Sequence, residues 1–171
     1  MVSLKPLTID NLSSFYVWLN DGEVIKYSLS LFQKLNTKTE IEKWYKVLLE
    51  NSKKDLQLGI YIKGSNRIIG YCGICNISEN NKEGEYFIFI GDKGQWGKGI
   101  STFVTKEIIR IGFEELKLDR IFLTVSEPNI GGVKSYTKAG FKKIDIIRNA
   151  SFRDNEFHNK IVMEIHNHEL I

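Results

Sequence analysis

The chain has 171 residues, of which 42% are apolar and 26% charged, and a formal net charge of +3. That length and apolar share fit one globular domain, residues 1–171, with a buried core. The near-neutral balance and scattered Lys and Arg residues speak against a nucleic-acid partner. No apolar run reaches the roughly 18 residues that cross a bilayer, so no membrane partner is expected and the cytoplasm is the expected compartment. Val2 to Leu7 reads as a first strand. Thr8 or Asp10 can cap a helix that carries Phe15, Trp18 and Leu19 at helical spacing, and Asn20-Asp21-Gly22 stops it. Thr37 or Thr39 can open a second helix, with Ile41, Trp44, Tyr45, Leu48 and Leu49 on one face. The middle reads as strands: Leu56 to Ile62 alternates and contains β-branched and aromatic residues, Arg67 to Ile77 holds an extended apolar run, and Glu83 to Gly91 follows. The turns Gly64-Ser65-Asn66 and Asn80-Asn81-Lys82 make them an antiparallel meander.

The pattern then changes. A glycine-rich stretch, Gly94 to Gly99, leads into an amphipathic helix from Ile100 to Leu116, with Phe103, Val104, Ile108, Ile111 and Leu116 as its apolar positions. Arg120 to Val125 is a compact strand, Gly131 to Ala139 a short helix ended by Gly140, and Phe141 to Ile147 and Lys160 to Ile165 are closing strands. A strand–helix–strand crossover implies parallel pairing, so the fold class is α/β with a mixed sheet of about seven strands flanked by helices. Cys72 and Cys75 form a lone CxxC inside a strand, where residues three apart face opposite sides, so no metal site is expected.

Chemistry concentrates in two places. Gln95-Trp96-Gly97-Lys98-Gly99-Ile100-Ser101 joins a strand to a helix. Glycines there let the backbone approach a ligand, and the unpaired N–H groups of the helix's first turn suit a pyrophosphate. Small Ser101 avoids crowding such a ligand. The spacing is neither a Walker loop nor a complete dinucleotide fingerprint. The second place runs from Asn129 through Gly132, Tyr136 and Lys138 to Gly140-Phe141, where an Asn is ordinarily a helix cap and a Tyr ordinarily packing.

In this order and at this separation, the two segments resemble the GNAT N-acetyltransferase superfamily, in its Rim-type and small-amine branch. The family pattern Arg/Gln-x-x-Gly-x-Gly/Ala aligns with Trp96 to Ser101, with Trp96 and Ser101 departing from it, and Asn129, Gly132, Tyr136, Lys138, Gly140 and Phe141 match its second motif. The Glu85-Tyr86-Phe87-Ile88-Phe89-Ile90 strand resembles the family's splayed central strand, and the segment from Phe152 to Met163 its last hairpin.

The resemblance implies acetyl-CoA as donor cosubstrate, a primary amine as acceptor, and a monomer or homodimer. It implies that Gln95, Trp96, Gly97, Lys98, Gly99, Ile100 and Ser101 hold the pyrophosphate, and that Ile88, Phe89 and Ile90 pair with the pantetheine arm through their backbone. Asn129 and Gly132 would lie along that arm, and Tyr136 would protonate the departing thiolate. Glu85 is the favoured base, Glu83 its substitute and His158 a weaker candidate. The acceptor is expected to be a small-molecule amine (amino sugar, nucleotide-linked amino sugar or polyamine), with a protein N-terminus or a non-catalytic acyl-CoA-binding module as alternatives.

Overall fold

The structure, a computed structural model describing residues 1–170, contains seven strands and five α-helices. The strands are β1 (Val2–Pro6), β2 (Leu56–Ile62), β3 (Ile68–Ser78), β4 (Glu83–Ile90), β5 (Arg120–Ser126), β6 (Lys142–Arg153) and β7 (Glu156–His166). The helices are α1 (Leu12–Leu19), α2 (Gly22–Ile25), α3 (Lys38–Glu50), α4 (Ile100–Glu114) and α5 (Ile130–Ala139). The strands form one mixed sheet in the order β1-β2-β3-β4-β5-β7-β6. Strand β4 pairs with β5 in parallel over Glu83–Glu85 against Arg120–Phe122 only, although β4 runs on to Ile90 and β5 to Ser126. This short pairing corresponds to the expected central splay.

The chain divides into two compact units, one of Met1–Gly73 with Ile88–Ile100, the other of Ile74–Phe87 with the residues from Ser101 on. In the first, Thr37 is the residue that opens α3: its hydroxyl accepts the Glu40 N–H at 3.2 Å while the Glu40 carboxylate accepts the Thr37 N–H at 2.9 Å. Thr8 opens only a single 3-10 turn, Ile9–Asn11, and α1 begins after it. The apolar face of α1 then delivers Phe15 and Trp18 into an aromatic core with Phe32, Tyr45, Tyr71 and Phe89. Trp44 packs its edge against Phe32. Two pieces absent from the expected element list, α2 and a 3-10 turn at Ser30–Gln33, carry the chain between α1 and α3.

In the second unit, α4 buries Val104, Thr105, Ile108, Ile109 and Phe113. Phe103 and Leu116, expected on that face, are instead exposed by 41% and 38%. Phe103 falls outside the stripe that the buried positions mark, and Leu116 lies beyond the helix, which ends at Glu114. The closing hairpin is longer than expected. It pairs β6 with β7 out to Arg153 opposite Glu156, and Phe141 precedes the strand as a buried core residue. Strand β6 is the edge of the sheet, with register shifts between Lys143 and Asp145 and between Ile147 and Ser151.

Candidate active site

The glycine-rich stretch follows the end of β4. Asp92 caps a 3-10 turn, Lys93–Gln95, by accepting the Gly94 N–H at 3.0 Å. Gly97 and Gly99 both take left-handed φ, +74° and +76°, which a side chain would strain. Nothing lies within 4 Å of where either Cβ would stand, so the turn is open as well as left-handed. Gly97, Lys98 and Gly99 are exposed, and none of their N–H groups donates to a loop carbonyl among the described residues. Donors left free at the head of a 15-residue helix fit a pyrophosphate. Lys98 leans on the Gln95 side chain at 3.3 Å. The Ile100 side chain is buried, so its contribution to a ligand is confined to its backbone.

The unusual Trp96 has a role visible in the structure. Its indole N–H donates to the Ile90 carbonyl at 2.9 Å, tying the stretch back to the end of β4. Ile90 therefore has its carbonyl already engaged, while Ile88 is half-buried and Phe89 turns its ring into the aromatic core.

In the second unit, Ser101 is held rather than idle. Ser135 of α5 donates to the Ser101 hydroxyl at 2.9 Å, and with its one proton spent there it accepts from the Thr102 hydroxyl at 3.1 Å. Ser135 is buried and did not stand out in the sequence, since a serine in a helix carries no spacing signal. Asn129 is the N-cap of α5: its Oδ1 accepts the Gly132 N–H at 3.0 Å. A Cβ on Gly132 would stand 2.6 Å from the Asn129 amide nitrogen, so the closeness of the cap requires glycine there. The Asn129 oxygen is thus spent on the helix, and only its amide group is left to reach a ligand.

Tyr136 lies on α5 with its ring edge-on to Tyr86 at 6.0 Å and to Phe141 at 6.3 Å. The ring is half-buried, and its hydroxyl makes no hydrogen bond among the described residues. Desolvation pushes the phenol up to about 12 from its usual 10, which keeps it protonated.

The carboxylates separate clearly. Glu85 accepts a bond from the Asn76 amide at 2.9 Å, which orients it without neutralising it. Asn76, in a left-handed conformation at φ +51°, is a supporting residue that the sequence reading missed. Glu83, the substitute base, is instead ion-paired with Arg120 at 2.8 Å, and Arg120 also holds Glu164 at 2.6 Å. The Glu83 carboxylate is thus engaged by a guanidinium that bridges β4, β5 and β7. His158 sits half-buried in the hairpin opposite Ser151. Cys72 is buried with its thiol pushed up by desolvation, and Cys75 donates to the Glu85 carbonyl at 3.6 Å. Among the described residues no cluster of His, Cys, Asp and Glu could hold a metal ion, and no helix is long and apolar enough to cross a membrane.

A fold with this strand order, a left-handed glycine turn heading a helix, and a tyrosine on the following helix define the class. The profile of the acetyltransferase (GNAT) domain matches residues 2–142, and the chain belongs to that family and is an N-acetyltransferase. It is 32% identical over 104 residues to the probable N-acetyltransferase YjcK of Bacillus subtilis, spanning 57% of that protein. It is 26% identical over 179 residues to the spermidine N(1)-acetyltransferase of Escherichia coli, covering 99% of this chain and 88% of that one. Among solved structures, the spermidine N-acetyltransferase of Vibrio cholerae in complex with CoA and spermine superposes with a TM-score of 0.87. That match covers 98% of this chain and 96% of the other at 19% identity, and it speaks for the fold.

Proposed function

We propose that the chain transfers the acetyl group of acetyl-CoA to the primary amine of a small molecule. The observation that carries this reading is the Tyr136 hydroxyl, half-buried, protonated and bonded to nothing among the described residues. A protein that only binds a thioester has no use for such a group, whereas a transferase needs an acid for the leaving sulfur.

The donor supplies an activated acyl group and a thiolate that leaves. The N–H groups from Gly97 to Ser101 hold its pyrophosphate, and the backbone from Ile88 to Ile90 lines its arm. Glu85, oriented by Asn76, takes the proton that the ammonium must shed before it attacks. A backbone N–H near Phe89 or Ile90 donates to the oxygen on which charge builds. Tyr136 gives its proton to the sulfur, and holding both partners in place supplies much of the remaining rate.

The test is release of free thiol from acetyl-CoA across amino sugars, nucleotide-linked amino sugars, polyamines and N-terminal peptides. Release with small amines supports the proposal. Release with peptides alone would make the chain a protein N-terminal acetyltransferase. Coenzyme binding with no release on any amine would make it an acyl-CoA-binding module.

A further inference from the structure

Hydroxyls of the second unit form two chains, and each chain has a fixed direction. Thr105 is buried, and its hydroxyl donates to the Ser101 carbonyl one turn back at 2.7 Å. A hydroxyl has one proton, so the Tyr86 hydroxyl, 2.9 Å from Thr105, is the donor in that pair. The other chain runs from Thr102 to Ser135 and from Ser135 to the Ser101 hydroxyl. Both chains end on Ser101. One takes up its carbonyl, the other a lone pair of its hydroxyl.

What remains at Ser101 is donor capacity. Its own O–H finds no acceptor among the described residues. Its N–H lies in the first turn of α4, where the helix offers no partner. Ser101 is only half-buried, so these donors stay open to a ligand. Accepting a bond from Ser135 polarises the Ser101 hydroxyl and strengthens its own donation. The family pattern has glycine or alanine at this position, so the hydroxyl is an addition of this chain.

Resting on the proposed function, we infer that the Ser101 hydroxyl is a further ligand of the donor's pyrophosphate, donating to a phosphate oxygen, and that Ser135 is the positioning residue that aims it. The direction of the chain carries the argument. Thr102 donates to Ser135 and Ser135 donates to Ser101, so the unspent proton emerges at the helix head. There the unpaired N–H groups and the helix dipole already favour an anion. The reverse direction would present a lone pair, which a phosphate oxygen repels. Without Ser135, the Ser101 hydroxyl is free to turn among its staggered positions, and ordering it again on binding costs entropy. Ser135 is itself buried, so water does not take its place.

The experiment reads binding, which needs no turnover. Kd is measured for CoA by calorimetry and for pantetheine, which has the arm and no phosphate, by NMR titration. The proteins are the wild type, Ser101→Ala, Ser135→Ala and the double variant. Melting curves check that each is folded, and Ser101→Cys, which keeps the bulk and donates weakly, serves if the alanine variant is not. A hydrogen bond to a charged group corresponds to about tenfold or more in affinity, so Ser101→Ala should weaken CoA by at least that and leave pantetheine within about twofold. Ser135→Ala should weaken CoA by roughly three- to tenfold and likewise spare pantetheine. Once Ser101 is alanine, the Ser135 change should cost CoA nothing further. CoA affinity within about twofold of wild type in the Ser101 variant would overturn the inference while leaving the acetyltransferase reading in place. Equal losses for CoA and pantetheine would also overturn it, by showing a loosened helix instead of a lost phosphate contact. Fully additive losses in the double variant would overturn the role of Ser135. No binding of CoA to the wild type would remove the proposed function and the inference with it.

Discussion

Replacing Tyr136 by phenylalanine tests the proposed chemistry at a single atom. The ring contacts with Tyr86 and Phe141 stay, and the hydroxyl that is lost has no partner among the described residues. Folding stability should therefore move by no more than about 0.5 kcal/mol. Affinity for CoA should stay within about twofold, since the glycine turn and β4 are untouched. The rate should not. A positioned acid is worth about 10²–10⁴-fold, or roughly 2.7–5.4 kcal/mol of barrier at 1.36 kcal/mol per decade. Burial holds the phenol protonated up to about 12, and the acid works in its protonated form. Its contribution is lost only as pH rises through that value, so between pH 6 and 9 the wild-type kcat should show no alkaline decline from this group. Folding stability suffers from the same displacement only above pH about 10, where the unfolded chain releases the proton and the folded chain keeps it. Thiol release, calorimetry with CoA and thermal melts separate these effects. A variant with kcat within about threefold of wild type would refute the assignment, and a fall in kcat matched by loss of CoA binding would refute the reasoning behind it.

Four further changes bear on the rest of the site and its scaffold. Glu85→Gln keeps an oxygen for Asn76 but removes the proposed base, so activity should fall by roughly 10²-fold or more at pH values where the acceptor is an ammonium, read from the pH–rate profile. Asn129→Ala removes the α5 cap and should cost about 1 kcal/mol in chemical denaturation, with Tyr136's position and hence kcat affected through the helix. Gly70→Ala places a Cβ 2.1 Å from the Phe89 backbone oxygen, which a paired strand cannot yield, and should cost about 3 kcal/mol or more by the same measurement. The Arg120 bond is the main cause that holds the Glu164 carboxyl below its usual range. The stability from this pair is present above the ordinary glutamate value and lost as pH falls below it. Glu164→Gln should therefore cost about 1 kcal/mol at neutral pH and flatten the acid side of the melting curve.

Local signals were legible in the sequence where they were self-contained. The α3 cap needs only Thr37 and Glu40, three residues apart, and the strand-to-helix glycine turn needs only its own φ values. What the sequence reading missed involves partners far along the chain. Glu83 looks like Glu85 until Arg120, 37 residues later, neutralises it. Ser101 looks like a small filler until Ser135, 34 residues on, binds it. The hairpin was read short because Asn149, Asp154 and Asn155, all in left-handed conformations, break the alternation that marks a strand. Phe103 was misplaced because an apolar residue list does not say which arc of α4 is covered, and Leu116 because the helix stops two residues before it.

Those irregularities in β6 have an effect of their own. An outermost strand is an open row of donors and acceptors, and a long flat one invites a stranger's backbone to join it. Along β6, the residues that stay in step with β7 come in stretches of at most three, Asp145–Ile147 and Ser151–Arg153 being the longest. The bulges between them twist the strand and break the even rhythm that a growing fibril requires. Ile144, Ile147 and Phe152 are exposed there, a sequence that would be prone to self-stacking were it straight. The protein thus closes its sheet with a strand too uneven to serve as a template.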